Sequence, residues 1–203
     1  MIGIPAEWGG KFDRLFEMLT LANREFNLTR IESRRAFDVK HVADSLALLE
    51  YFPELPETGL VLADVGTGAG FPSLVLGIAR PGWRICAIDS TAKKTGFVRR
   101  AAAELGLGNV ETVTARACEL NRKPEFQRRF HIVTARAVGP AAGIVAETGR
   151  MLKPGGRYIF YKTPRSLDGE LEALGRKYPA VRWRHSAFFQ LPDEAGDRTF
   201  IYS

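Results

Sequence analysis

Asp64-Val65-Gly66-Thr67-Gly68-Ala69-Gly70-Phe71-Pro72 holds the densest chemistry in this 203-residue chain. Three glycines at alternate positions follow an apolar run. Glycine lets backbone approach a ligand because no Cβ stands in the way. A helix opening just beyond offers unpaired N–H groups. Nicotinamide and flavin sites use G-x-G-x-x-G, in which the helix N-terminus meets a pyrophosphate. Here the spacing is G-x-G-x-G, with Asp64 two residues before the first glycine. An acid there repels a pyrophosphate and suits a ligand carrying an ammonium and a sulfonium. Asp89 closes the next apolar run, where a carboxylate can accept both hydroxyls of an adenosine ribose. Glycines under an amino-acid end and a carboxylate at a ribose describe S-adenosylmethionine, with Asp64 and Asp89 in register on successive strands. A tight turn followed by a solvated strand-end acid is the other reading of the same residues.

The elements that must position these groups follow from periodicity. Phe12, Leu15, Phe16, Leu19, Ala22 and Phe26 recur at three- and four-residue steps and predict a helix with one apolar face. A second helix is expected from Arg34 to Tyr51, with Phe37, Val42, Leu46 and Leu49 inward, before Pro53 and Pro56 break the chain. From Leu60 the pattern changes to short apolar runs alternating with helical ones. Strands are expected at 59–65, 84–89, 110–115, 130–134 and 157–162. Helices are expected through Leu74 and Ile78, from Ala92 to Leu105, from Ala141 to Leu152 and from Leu171 to Lys177. Val181 to Leu191 and Arg198 to Tyr202 read as a closing strand pair. This alternation predicts an α/β fold, a Rossmann-like parallel sheet with helices on both faces, ending in an antiparallel hairpin. Residues 1–57 form a helical cap and 58–203 the sheet domain, the two making one compact unit. Ligands of such sheets bind beyond the carboxyl ends of the strands.

Composition narrows the classes. Hydrophobic residues at 45% and charged residues at 26% exclude a mainly disordered chain or a disulfide-stapled mini-protein. No apolar run reaches the ~18 residues of a membrane span, and Met1 to Lys11 lacks the pattern of a secretory signal. Cys86 and Cys118 belong to no CxxC pair and read as reduced, packing residues of a cytoplasmic protein. His41, His131 and His185 share no metal-ligand spacing, and no metal is expected. His131 begins a strand and reads as structural. The excess of 29 Lys+Arg over 23 Asp+Glu, +6, is compatible with a polyanionic partner.

An ordered set of short motifs adds to this. Asn27-Leu28-Thr29, His41 with Asp44-Ser45, the glycine segment through Pro72, Asp89-Ser90 with Lys93-Lys94, and Ala135-Arg136-Ala137 resemble the RsmG (GidB) family of bacterial methyltransferases. The resemblance runs from about Asn27 to Lys162, with weaker agreement at Arg198. It implies a class I S-adenosylmethionine-dependent methyltransferase that modifies N7 of a guanine in small-subunit ribosomal RNA. It further implies that backbone at Ala117-Cys118 touches the adenine, that Arg136 faces the cofactor pocket and that Phe71 is an apolar cofactor contact. The cofactor set is then Asp64, Gly66, Gly68, Gly70, Phe71, Asp89, Ala117, Cys118 and Arg136, with S-adenosylhomocysteine as product. The chain departs from the family pattern at Ser73 (usually Gly), at Thr163-Pro164 after Lys162 (often Gly) and at Cys118 (often an acid).

Guanine N7 carries a lone pair and no proton, so no catalytic residue is assigned. The enzyme must align two reactants and exclude water. Two absences agree: Thr134-Ala135-Arg136-Ala137-Val138 stands where exocyclic-amine methyltransferases carry Asn/Asp-Pro-Pro-aromatic, and neither cysteine has the neighbours of a pyrimidine-attacking thiol. Candidate RNA contacts are Arg34, Arg35, Lys40 and His41 in the helical entry, Lys93 and Lys94 after the second strand, and Lys162 and Arg165 after the fifth. The partner is expected to be small-subunit RNA or the assembling subunit, the protein a monomer. The competing readings are a same-fold methyltransferase with another substrate and a non-catalytic RNA- or ribosome-binding protein.

Overall fold

The computed structural model describes residues 5–31 and 33–203, except the side chains of Phe26 and Ser166. The predicted cap helix is α1, Ala6–Phe26, closed by Asn27 in the left-handed conformation (φ 49°). Phe12, Leu15 and Leu19 are fully buried, each contributing about 1.5–3 kcal/mol by leaving water. Phe26, assigned to the same face, lies outside the described side chains. The second predicted helix is continuous but not uniform. It runs as α2, Arg34–Phe37, a π-helical turn, Asp38–Ala43, and α3, Asp44–Tyr51. Ser33 caps its start by accepting the Ala36 N–H.

The sheet begins with β1, Val61–Val65, followed by α4, Ser73–Ala79, β2, Arg84–Asp89, α5, Ala92–Glu104, and β3, Val110–Thr114. A short helix absent from the sequence expectation, α6, Ala117–Leu120, precedes β4, Phe130–Arg136. Next come α7, Ala141–Thr148, β5, Leu152–Lys162, and α8, Leu167–Lys177. The chain ends with β6, Arg184–His185, β7, Phe189–Gln190, and β8, Asp197–Tyr202.

Strand order is β3-β2-β1-β4-β5-β8-β6, with β7 also on β8. β1 to β5 are parallel; β8 is antiparallel to β5, β6 and β7. The order reverses between β1 and β4, so the loops after these two strands diverge and leave a crevice at their carboxyl ends. One apolar cluster joins α1, α3, α4 and α5 to a sheet face, through Phe12, Phe37, Leu46, Leu62, Leu74 and Phe97. The other packs α6, α7 and α8 on the opposite face, through Leu120, Ile144, Leu174, Phe130 and Ile201. No helix of the described residues is long and apolar enough to cross a membrane.

Three expectations are corrected. The helix expected to reach Leu152 stops at Thr148, because Met151 N–H turns back to Thr148 and Leu152 is drawn opposite Phe130 as the start of β5. Pro154-Gly155-Gly156 therefore lies inside the strand, where the β4–β5 register shifts. The expected strand 181–191 is two short strands. His185 faces Ile201 and Phe189 faces Arg198, four steps against three, so one extra residue makes a bulge. Finally, Asp64 stands opposite Ala87, two residues short of Asp89, although both acids leave the same sheet face.

Candidate active site

Gly66, Gly68 and Gly70 have φ of 71°, 59° and 93°, a region other residues rarely enter. Their surroundings differ. A Cβ on Gly66 would strike Val138 at 2.5 Å and one on Gly70 would strike Leu74 at 2.5 Å. One on Gly68 would meet only Gly66 O, at 3.9 Å. The first and third glycines thus permit packing, and the middle one opens onto ligand space.

Both Asp89 oxygens are engaged by backbone. Oδ2 accepts Gly68 N–H at 3.1 Å, and Oδ1 accepts Thr91 N–H at 2.9 Å. The carboxylate is thereby fixed between the glycine loop and the start of α5, with Lys94 Nζ 3.8 Å away. It lines a cavity of about 480 Å³ with Gly66, Ile88, Ala115, Ala117 and Val138. Asp64, in contrast, is fully buried and lines neither this cavity nor the larger one beside it. Its Oδ2 accepts the Ser73 hydroxyl at 2.7 Å, and Thr67 donates to Ser73 at 3.2 Å. Among the described residues Oδ1 has no hydrogen-bond partner, and burial pushes the carboxyl above its ordinary range. Ser73, the departure from the family pattern, therefore joins β1 to α4.

The larger cavity, about 770 Å³, shares Gly66, Lys94 and Ala137 with the smaller one. Its inner wall is an aromatic and ionic stack. His41 lies parallel to Phe71, centroids 4.0 Å apart, with the Arg136 guanidinium 5.8 Å from the Phe71 centroid. Arg136 donates to Lys40 O (2.8 Å), Asp44 Oδ2 (3.0 Å) and His41 Nδ1 (3.1 Å). Arginine only donates, so Nδ1 accepts and the neutral ring carries its proton on Nε2, toward Thr29 Oγ1 at 3.2 Å. Burial, with Arg136 beside it, lowers the His41 pKa to about 3. Arg198 Nε lies 3.3 Å from Asp44 Oδ1, so the carboxylate sits between two guanidiniums.

The outer wall is a clasp. Glu170 Oε2 accepts Ala141 N–H at 2.7 Å and pairs with Lys162 Nζ at 2.7 Å. Lys162 also donates to Gly139 O at 2.8 Å. The loop after β4 is held from outside by these bonds and seated inside by Val138 on Gly66.

The expected cofactor residues thus divide. Gly66, Asp89 and Ala117 line the smaller cavity; Gly66, Gly68, Phe71 and Arg136 line the larger. Gly70 packs behind the loop, and Cys118 borders neither cavity because α6 turns it away. Arg136 pairs with Asp44. Of the expected RNA contacts, Lys40, His41, Lys94 and Lys162 line the larger cavity. Arg34 is held by Asp13 and Asp38, and Arg35 by Asp193. These two arginines, Lys93 and Arg165 lie outside both cavities. Glu170 carried no sequence signal. Thr29 and Asp44 lay in the quoted motifs without a role, and Arg198 carried only the weak agreement.

A sheet reversing between β1 and β4, a glycine cradle open at Gly68 and a fixed carboxylate at the end of β2 define a class I S-adenosylmethionine-dependent methyltransferase. A solved S-adenosylmethionine-dependent methyltransferase from Aquifex aeolicus shares the fold with a TM-score of 0.62 at 17% identity, over 87% of this chain and 95% of that one. The family model described as rRNA small subunit methyltransferase G matches residues 10–195. The chain belongs to that family. The Ribosomal RNA small subunit methyltransferase G of Solibacter usitatus is 36% identical over 93% of this chain and 86% of its own length. That of Leuconostoc mesenteroides is 34% identical over 94% and 80%.

Proposed function

We propose that this protein, as a cytoplasmic monomer, methylates N7 of a guanine in small-subunit ribosomal RNA, with the adenosine of S-adenosylmethionine in the 480 Å³ cavity and the target base in the 770 Å³ one. The observation that carries this reading is that the two cavities meet at Gly66, Lys94 and Ala137. Gly66, Lys94 and Ala137 would then stand between the cofactor and a base entering from the larger side. When bound, S-adenosylmethionine would supply an electrophilic sulfonium methyl, with S-adenosylhomocysteine as the product. Guanine N7 carries a lone pair and no proton, so this chain's residues need take up no proton from the target.

The protein's work is then alignment and exclusion of water. Asp89, pre-oriented by two N–H donors, receives the ribose hydroxyls. Gly68 lets backbone approach the amino-acid end. Phe71 and neutral His41 give the larger cavity a flat apolar wall. The carboxylates on that side are engaged, Asp44 by Arg136 and Arg198 and Glu170 by Lys162, which suits a target needing no general base. Residues 1–57 and 58–203 act as one unit.

The test is methyl transfer from labelled S-adenosylmethionine to small-subunit RNA and to small subunits from a strain lacking the endogenous enzyme, with nucleoside identification. Label in 7-methylguanosine is expected; label on another base, or only on a small molecule, overturns the reading.

A further inference from the structure

The cations singled out in the helical entry largely neutralise themselves, whereas a different stretch carries charge without counter-charge. Residues 173–192 contain no acid but include Arg176, Lys177, Arg182, Arg184 and His185, all exposed. Among the described residues, no carboxylate lies within ion-pairing distance of Arg176, Arg182 or Arg184. The stretch also carries Phe188, 57% exposed and, among the described residues, the only aromatic of the exposed large hydrophobics.

The fold lines these groups up. Among the described residues β6 is the last strand of the sheet, and no further strand pairs with its outer edge. Arg184 stands opposite Tyr202, and Phe189 opposite Arg198, which lines the larger cavity. At about 3.3 Å per residue the edge climbs about 13 Å from Arg184 to the cavity rim. The bulge lies between these positions. Ser186 fixes it, accepting Phe200 N–H on Oγ at 3.0 Å and donating its own N–H to Phe200 O at 2.9 Å. Phe189 can then pack inward on Tyr51, centroids 4.3 Å apart, while Phe188 is turned to solvent against His185 at 5.8 Å. An aromatic face beside cations on the outer edge of a terminal strand is the chemistry that holds unstacked nucleotides.

We infer that the β6–β7 edge is an RNA-binding surface, on which Arg182 and Arg184 hold phosphates and Phe188 stacks a base flanking the target. This rests on the ribosomal-RNA reading above and adds a contact to it. The edge arginines also guard against strand-to-strand aggregation through their charge, so each variant is compared with wild type as monodisperse protein.

The experiment measures fluorescence-anisotropy affinity for protein-free small-subunit RNA, the KM and kcat of methyl transfer, and calorimetric S-adenosylmethionine affinity. The proteins are wild type, Arg182→Gln/Arg184→Gln, Phe188→Ala and Phe188→Trp. The arginine pair should weaken RNA binding about tenfold or more and reduce the log–log salt slope by about 1.4, two single-strand phosphate contacts. Phe188→Ala should raise KM about tenfold with kcat little changed, and Phe188→Trp should restore it. Cofactor affinity should stay at the wild-type value, which also certifies folding. Wild-type RNA affinity and salt slope in the arginine pair, with normal KM in Phe188→Ala, overturn the inference while leaving the methyltransferase reading standing. Weakened RNA binding in the variants of a wild type that transfers no methyl to RNA supports the surface and sinks that reading instead.

Discussion

Asp89 shows how much one carboxylate holds. Its oxygens tie the glycine loop at Gly68 to the start of α5 at Thr91, the posture a ribose-binding acid needs. Asp89→Ala is expected to weaken S-adenosylmethionine binding by about 2–3 kcal/mol, the loss of charge-assisted hydrogen bonds, measured by calorimetry. Unchanged affinity would mean that the ribose lies elsewhere. His41 makes a pH prediction. Its folded pKa of about 3 lies below the ordinary 6.5. Between those values the unfolded chain binds the proton and the folded one does not. This contribution to stability is therefore complete above about pH 6.5 and falls with acid, by about 1.4 kcal/mol per pH unit at most. His41→Phe should flatten the acid limb of a denaturant-midpoint profile between pH 6.5 and 4, and an unaltered limb would show that another group sets it.

At the scale of elements, the clasp on the β4–α7 loop joins three segments through two side chains. Glu170→Ala removes the acceptor of Ala141 N–H and leaves the Lys162 ammonium, 10% exposed, without its carboxylate. A loss of about 2 kcal/mol in unfolding free energy is expected. A raised KM for RNA should accompany it as Gly139 loosens, whereas an unchanged KM would reduce the clasp to a structural role. This clasp was illegible in the sequence, because Lys162 and Glu170 meet only once α8 folds back on β5. The glycine loop was legible because its requirement is local: positive φ at fixed spacing. β2 was legible for the same reason, an unbroken buried run from Ile85 to Asp89. The helix end at Thr148 was not. Leu152 is apolar in either state, and pairing with Phe130 decided it. Asp64 was recognised as significant, but its direction depended on Ser73, nine residues on.

At the scale of the whole molecule, the division at residue 57 marks a change of element type within a shared core. Leu62, Leu74 and Phe97 of the sheet layer sit in the same cluster as Phe12, Phe37 and Leu46, and the larger cavity takes Thr29, His41 and Asp44 from the helical segment. A chain of residues 58–203 alone is therefore expected not to give a cooperative unfolding transition by circular dichroism. A native-like transition would establish a separable domain. The net charge of +6 also reads differently on the folded molecule. Arg34 and Arg35 in the helical entry face carboxylates of this chain, whereas Arg176, Lys177, Arg182 and Arg184 lie in a stretch that holds no acid.

The π-helical turn at Asp38–Ala43 carries a consequence for how this helix tolerates length change. Each residue of an α-helix advances about 100°, so the residue accommodated by a π turn sets the phase of everything after it. Lys40, whose carbonyl meets Arg136, and His41 lie within the turn, and Asp44 follows it at once. An in-frame deletion of one codon in this turn would leave a regular helix of good propensity. It would also rotate the elements before and after the turn out of step, swinging His41 and Asp44 away from Arg136 or Phe37 away from the core. Reading frame, helicity and hydrophobic content would all survive a lesion that the cavity wall would not.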